Sequence, residues 1–266
     1  MTTIAVIGHV EWVDFLRVEH LPVRDEVQRA ERESTHAGGG AVVAAAVLAE
    51  LGAEVEFFGA LGSDPVGDAA EAELAARGIV VHAARRPGPT RTVTTLLDHD
   101  GERTIITIGE RIQPEGADDL AWDHLDGVAG VYFTAGDRDA LRRARAVGTL
   151  VTTPRIRERL GHPDLTVDAL VFSASDADEV RWAHELAPRA RLMAASEGAA
   201  GGSWWGASTG RWAAVAPPGP IRDSYGCGDA FAAGFTYGLA LGQTPAQAAA
   251  IGARCGAEML TRVGAP

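Results

Sequence analysis

Apolar runs of strand length alternate with stretches of helical spacing along most of the chain. Thr3 to Ile7 is a continuous apolar run ending at Gly8, as a buried strand does. Gly38-Gly39-Gly40 then opens a stretch of small, helix-forming residues from Ala41 to Leu51 that Gly52 closes. The rhythm repeats: Glu54 to Gly59 reads as a strand, Val66 to Arg77 as a helix capped by Gly78, and Ile79 to Val81 as a strand again. Alternation of this kind predicts a mostly parallel sheet covered by helices.

Two stretches break the rhythm. Trp12 to His36 fits no βα unit, and between Arg91 and Ile108 two β-branched runs, Thr92 to Leu97 and Thr104 to Thr107, flank Asp98-His99-Asp100-Gly101. The second stretch predicts a β-hairpin, and inserted among βα units it suits a small antiparallel sheet outside the main one, able to act as a lid. From Asp118 the α/β rhythm resumes, with strands at Gly130 to Phe133, Ala169 to Phe172 and Arg191 to Ala195, and a helix from Arg138 to Val147. The segment from Ala230 to Leu260 reads as two closely packed helices parted near Gly242-Gln243-Thr244-Pro245. No internal repeat or linker divides the chain, so residues 1–266 are expected to form one domain, with the lid made by residues 11–36 and 90–109.

Composition narrows the chemistry. The net charge of -12 and the absence of any basic run disfavour nucleic acid and membrane partners, and a small ligand fits better. An amino terminus without a charged leader, no apolar segment of membrane length, and only two cysteines, Cys227 and Cys255, point to a reduced, cytoplasmic setting. All 24 basic residues are arginine. Without a lysine, enzymes that place that side chain on phosphates, P-loop proteins and protein kinases among them, are excluded.

The segment Asp223-Ser224-Tyr225-Gly226-Cys227-Gly228-Asp229 carries the most chemistry, because it is rich in glycine and leads directly into a strong helix. Unpaired N–H groups and partial positive charge at a helix start stabilise phosphate oxygens without a lysine. Asp229, at that start, is placed to take a proton from an attacking hydroxyl. Taken alone, the segment reads equally well as a tight turn followed by an ordinary first-turn acid.

The rest of the chain decides between these readings. Asp-Ser-Tyr-Gly-Cys-Gly-Asp resembles the second signature of the ribokinase-like (PfkB) carbohydrate kinases. Gly38-Gly39 resembles the first, and Gly8 with Asp14 the family's early strand-turn-Asp pattern. Weaker likenesses at Gly62 to Gly67, at Gly101-Glu102-Arg103 and at Ser196-Glu197-Gly198-Ala199-Ala200-Gly201 extend over nearly the whole chain. The resemblance implies a Rossmann-like three-layer αβα sandwich with a mostly parallel sheet and a small β-sheet lid, and a transfer from MgATP to a primary hydroxyl of a sugar or sugar-like molecule. It implies Asp229 as catalytic base, with the amides of Gly226, Cys227 and Gly228 as anion hole. Asp14, Gly38 and Gly39 would touch the acceptor, while Ser196, Gly198 and Gly201 line the nucleotide. Asp223 would help hold a monovalent cation such as K+. A homodimer through the lid follows by the same analogy, since exposed edge strands need cover.

The chain departs from the family pattern in two places. Val43 stands where many members carry a sugar-binding Asn, and Ser173-Ala174-Ser175-Asp176 stands for the Asn-x-x-Glu that organises magnesium waters, leaving Asp176 as the surviving carboxylate. These departures motivate an alternative, a non-catalytic ligand-binding relative. A dinucleotide-dependent oxidoreductase is disfavoured because no Gly-x-Gly-x-x-Gly turn follows the first strand. For Cys227, a residue that simply fits the turn is preferred to a redox-sensitive thiol. Trp204, Trp205 and Trp212 are read as packing residues. Arg85, Arg86, Arg91, Arg103 and Arg111 are read as solvated rather than as contacts to an anionic substrate, although arginine suits that task.

Overall fold

The computed structural model describes residues 2–99, 103–161 and 164–264. Its strands are β1 (Thr3–Ile7), β2 (Glu11–Arg17), β3 (Glu31–Gly38), β4 (Glu54–Gly62), β5 (Val80–Arg86), β6 (Thr92–Leu97), β7 (Arg103–Ile108), β8 (Gly130–Phe133), β9 (Thr149–Thr152), β10 (Val167–Ser173), β11 (Ala190–Ser196), β12 (Gly202–Gly206) and β13 (Gly210–Trp212). The helices are α1 (Gly40–Glu50), α2 (Pro65–Ala76), α3 (Arg138–Arg145), α4 (Arg157–Leu160), α5 (Ala177–Leu186), α6 (Cys227–Ala240) and α7 (Pro245–Met259).

The main sheet has the order β13-β12-β11-β10-β9-β8-β1-β4-β5. It is parallel from β5 to β11, and β12 and β13 add antiparallel strands at one edge. Alternate residues of the strands feed two cores. Val6, Phe57 and Tyr132 pack with residues of α1, α2, α6 and α7 on one face, while Ile7, Phe58 and Phe133 pack with α3, α4 and α5 on the other. This is the helix-covered parallel sheet that the rhythm predicts, in the three-layer form that the resemblance implies. Strand order reverses at β1, with β4 on one side and β8 on the other, and open α/β sheets bind ligands at the carboxyl ends of strands beside such a switch.

The small sheet has the order β3-β2-β6-β7. It is antiparallel at β2–β3 and β6–β7 and parallel where β2 meets β6. The two stretches that broke the rhythm therefore supply this sheet, each giving an antiparallel pair. The turn residues Asp100, Gly101 and Glu102 lie outside the described residues. Val13, Phe15, Val93 and Leu97 join the core shared with α1 and α6, so one face of the small sheet is anchored to the body.

Three elements have weak sequence signals. The strand β9 has four residues, two of them threonine, and the helix α5 carries charged residues over most of its length. The strand β5 runs on to Arg86, through His82, Arg85 and Arg86, because its polar side chains lie near the sheet edge.

Candidate active site

The start of α6 is set by Gly226, in the left-handed region at φ 71, which turns the chain from the loop into the helix. No side chain caps this helix. The first helical hydrogen bond runs from the Ala230 N–H to the Gly226 carbonyl at 2.8 Å, and the Cys227 N–H has only a 3.5 Å contact to the Ser224 carbonyl. Among the described residues the N–H groups of Gly228 and Asp229 have no protein acceptor. A side chain at Gly228 would meet nothing within 4 Å, so these donors face open space. Such a cradle suits anionic oxygens.

Asp229 lies in the first turn of α6, half-buried, and its carboxylate reaches the start of α1. A Cβ at Gly40 would sit 2.4 Å from Asp229 Oδ1, so only glycine permits this approach. The Tyr132 hydroxyl, from β8, donates to Asp229 Oδ1 at 3.1 Å. Burial pushes the Asp229 carboxyl up, against the Tyr132 hydrogen bond and the charges of Arg155 and His9, which favour the anion. Tyr132 itself is held well above the ordinary phenol range, first by burial and then by Asp229, so it stays a donor.

Tyr225 fastens the loop to the glycine turn before α1. Its hydroxyl accepts from the Gly39 N–H at 2.7 Å, and its ring packs edge-on against Phe15 at 5.2 Å. Gly38 lies under the same hydroxyl. The structure thus brings together Gly38, Gly39, Gly226, Cys227, Gly228 and Asp229. Val43, the position of the family's Asn, is fully buried and packs against Gly226.

Asp223 is almost wholly buried, and its two oxygens accept from the N–H groups of Tyr225 (2.9 Å) and Gly264 (3.2 Å). It shapes the loop. Arg103, on the small sheet, donates to Ser224 Oγ at 2.8 Å and touches the same loop. Burial pushes the Cys227 thiol up to about 12, with Arg103 opposing and Asp223 adding, so the thiolate is disfavoured despite the helix start.

The remaining site expectations separate from this centre. Ser196 ends β11, and Gly198 and Gly201 form the turn into β12, where both have positive φ. A Cβ at Gly198 would meet open space. Asp176 caps α5 through the N–H groups of Asp178 and Glu179 and pairs with Arg155 at 3.2 Å. Asp14 is not brought to Asp229. Strand alternation puts it on the face opposite Glu11, Val13 and Phe15, where it accepts from Thr35 Oγ1 at 2.5 Å and pairs with Arg32 at 3.2 Å.

Glu11 holds the inner face instead. It is buried beside His9 (3.5 Å) and Arg91 (3.3 Å). Burial works to raise its carboxyl, but His9, Arg91 and Arg111 outweigh it and hold the group below its usual range. Arg155 donates to Glu179 at 2.6 Å, and both charges act on Asp229. Arg111 is exposed; partial desolvation and the repulsion of Arg91, Arg155 and Arg159 push it down against the attraction of Glu11, and it makes no hydrogen bond or ion pair among the described residues. Sequence reading missed Tyr132, His9, Glu11, Arg155 and Glu179. The one available signal was a lone phenol inside an apolar strand.

The tryptophans pack as expected: Trp204 stacks on Trp212 at 6.3 Å, and Trp212 on Phe231 at 5.0 Å. Arg85 pairs with Asp68 and Glu71, and Arg86 with Asp118, so neither is free for a ligand. No helix among the described residues is long and apolar enough to cross a membrane.

The chain is similar to known kinases in sequence and in fold. The ATP-dependent ribose-1-phosphate kinase of Halopiger xanaduensis is 27% identical over 265 residues, covering 88% of this chain and 84% of the relative. The acarbose 7(IV)-phosphotransferase of an Actinoplanes species is 28% identical over 243 residues, covering 80% and 77%. The crystal structure of ribokinase from Thermotoga maritima superposes with a TM-score of 0.81 at 19% identity, covering 100% of this chain and 95% of that one. The model of the pfkB family carbohydrate kinases matches residues 1–266, so the chain belongs to that family and is a carbohydrate kinase.

Proposed function

We propose that the enzyme transfers the terminal phosphate of ATP to a primary hydroxyl of a sugar-like acceptor, with Asp229 as general base and the amides of Gly226, Cys227 and Gly228 as anion hole. The observation that carries this reading is the Asp229 carboxylate set against Gly40, beside N–H groups that no protein atom occupies. A base there takes the hydroxyl proton while the amides and the start of α6 stabilise the charge that develops on the transferring group. Its raised carboxyl makes Asp229 a better proton acceptor than an exposed aspartate.

The open glycine turns at Gly198 and Gly228 suit a nucleotide stretched between β11 and α6, with Ser196 and Gly201 beside the first. MgATP, when bound, supplies the phosphoryl group and neutralising charge. Asp176 and Glu179 share Arg155, so they suit an ion held through water better than a directly bound one. Asp223 has both oxygens committed to backbone amides, and K+ is not part of the proposal. The small sheet would close over the acceptor as a lid, placing Glu11 and Gly39 near its hydroxyls and excluding water. Ile105, Ile106 and Ile108, exposed on the edge strand β7, favour a homodimer through that sheet.

Arg111 sharpens the acceptor class. A guanidinium that feels Arg91, Arg155 and Arg159 as well as Glu11, and forms no ion pair among the described residues, suits a sugar bearing an anionic group, phosphate or carboxylate. Arg111 is exposed, as the sequence reading expects, and an anion would relieve the repulsion among these arginines. The test is ADP release over a panel of neutral, phosphorylated and carboxylated sugars, with Arg111→Ala alongside. We expect the variant to raise KM for the anionic acceptor at least tenfold and leave KM for ATP near wild type. A rise in KM for ATP alone would assign Arg111 to the nucleotide instead. Binding without turnover for every sugar would favour the non-catalytic alternative.

A further inference from the structure

On the face of the main sheet opposite α6, three side chains with metal-ligating atoms converge. Glu56 on β4, His82 on the edge strand β5 and His124 in the short helical turn Trp122–Leu125 offer one oxygen and two nitrogens that all lie within 4.8 Å of one another. His82 Nε2 is 2.7 Å and His124 Nδ1 3.3 Å from the same atom, Glu56 Oε2. We infer that Glu56, His82 and His124 form a binding site for a first-row transition-metal dication, Zn2+ by preference, separate from the nucleotide site.

The ligand chemistry selects the ion. Two imidazoles and one carboxylate are a set that zinc takes with its fourth position left to water, whereas Mg2+ and Ca2+ demand oxygen. Bound atoms about 2.0–2.2 Å from a tetrahedral ion stand roughly 3.3–3.5 Å apart. The observed 3.3 Å already fits, and the 2.7 Å contact needs to open by only a fraction of an ångström. Among the described residues no arginine pairs with Glu56, so no fixed cation competes for the position.

The site is also held in place. The Phe58 ring stacks on His82 at 4.6 Å and on Trp122 at 4.9 Å, and the two imidazoles meet at 4.7 Å. Glu56 and His82 are only 15% and 12% exposed, while His124, at 47%, leaves a path for the ion and for water. A bound ion would tie the connection between β7 and β8 to the edge of the main sheet, a structural clamp rather than part of phosphoryl transfer.

The test uses tag-free full-length protein, stripped with chelator and titrated with Zn2+ in the absence of nucleotide. We expect one ion per chain with micromolar or tighter Kd, a rise in Tm, and no displacement by millimolar Mg2+. His124→Ala, at the exposed position and expected to fold, should weaken binding at least tenfold and abolish the Tm rise without altering kinase turnover. Asp229→Asn should bind Zn2+ as wild type does. Co2+ should give the visible absorption of a tetrahedral N/O site in wild type and not in His124→Ala. Absence of stoichiometric Zn2+ binding, displacement by Mg2+, or undiminished binding by His124→Ala would overturn the inference.

Discussion

The helices of more than one turn in this fold start in two ways. Helices α2, α3, α5 and α7 begin under Asp64, Asp137, Asp176 and Thr244, each of which accepts from an N–H of the first turn. Helices α1 and α6 begin under Gly39 and Gly226, and no side chain caps either. A capping side chain contributes about 1 kcal/mol. The single-turn helix α4, under Ile156, is uncapped as well, but among the longer described helices only α1 and α6 lack a cap; both start beside Asp229, where, on the proposed reading, a cap would occupy donors that a phosphate needs. Capped starts stabilise, whereas the glycine starts leave their amides without a side-chain partner.

The largest effect expected from breaking this contrast is at Asp229. Asp229→Asn removes the proton acceptor and should lower kcat by about 10²–10⁴-fold. It should also raise Tm, because a carboxylate whose charged form is disfavoured by burial is replaced by a neutral amide. Steady-state kinetics beside calorimetry check both, and retained turnover would remove Asp229 as base. Gly40→Ala comes next. Its Cβ would collide with Oδ1, and the displaced carboxylate should reduce kcat by roughly 10²-fold, the cost of an ångström-scale misplacement. Normal turnover in that variant would mean that the contact does not position the base.

The pH dependence sharpens the same point. The folded state holds the Asp229 proton more tightly than the unfolded chain does, so stability falls as pH rises through the raised value. The base works only when deprotonated, so kcat/KM should fall as pH drops through that value, with an acid limb above the ordinary aspartate range. A limb within that range would contradict the burial argument. The smallest effects are expected at the capped helices. Thr244→Ala, which removes the capping box of α7, should lower Tm by about 2–4 °C, the shift for ~1 kcal/mol in a chain of this size, with kcat unchanged. Alkylation of Cys227 near pH 8 should be slow, since its thiol is held at about 12, and rapid labelling there would show the loop to be open.

Much of this fold is legible in the chain, because β1, α1, α6 and α7 are marked by apolar runs and by glycines that strand and helix geometry require. The glycine-rich loop and Asp229 are likewise local: one helix start suffices to suggest anion binding with an acid beside it. Asp14 shows the limit, since moving one position along a strand changes the face, and only pairing with β3 and β6 revealed Glu11 as the inner carboxylate. Tyr132, Arg155 and Glu179 act on Asp229 from distant segments, and Glu56, His82 and His124 meet across two strands and a turn. Local geometry repeats with a period that the sequence displays. Contacts between elements depend on sheet order and crossover, which the order of residues leaves open, and there the tertiary structure alone decided.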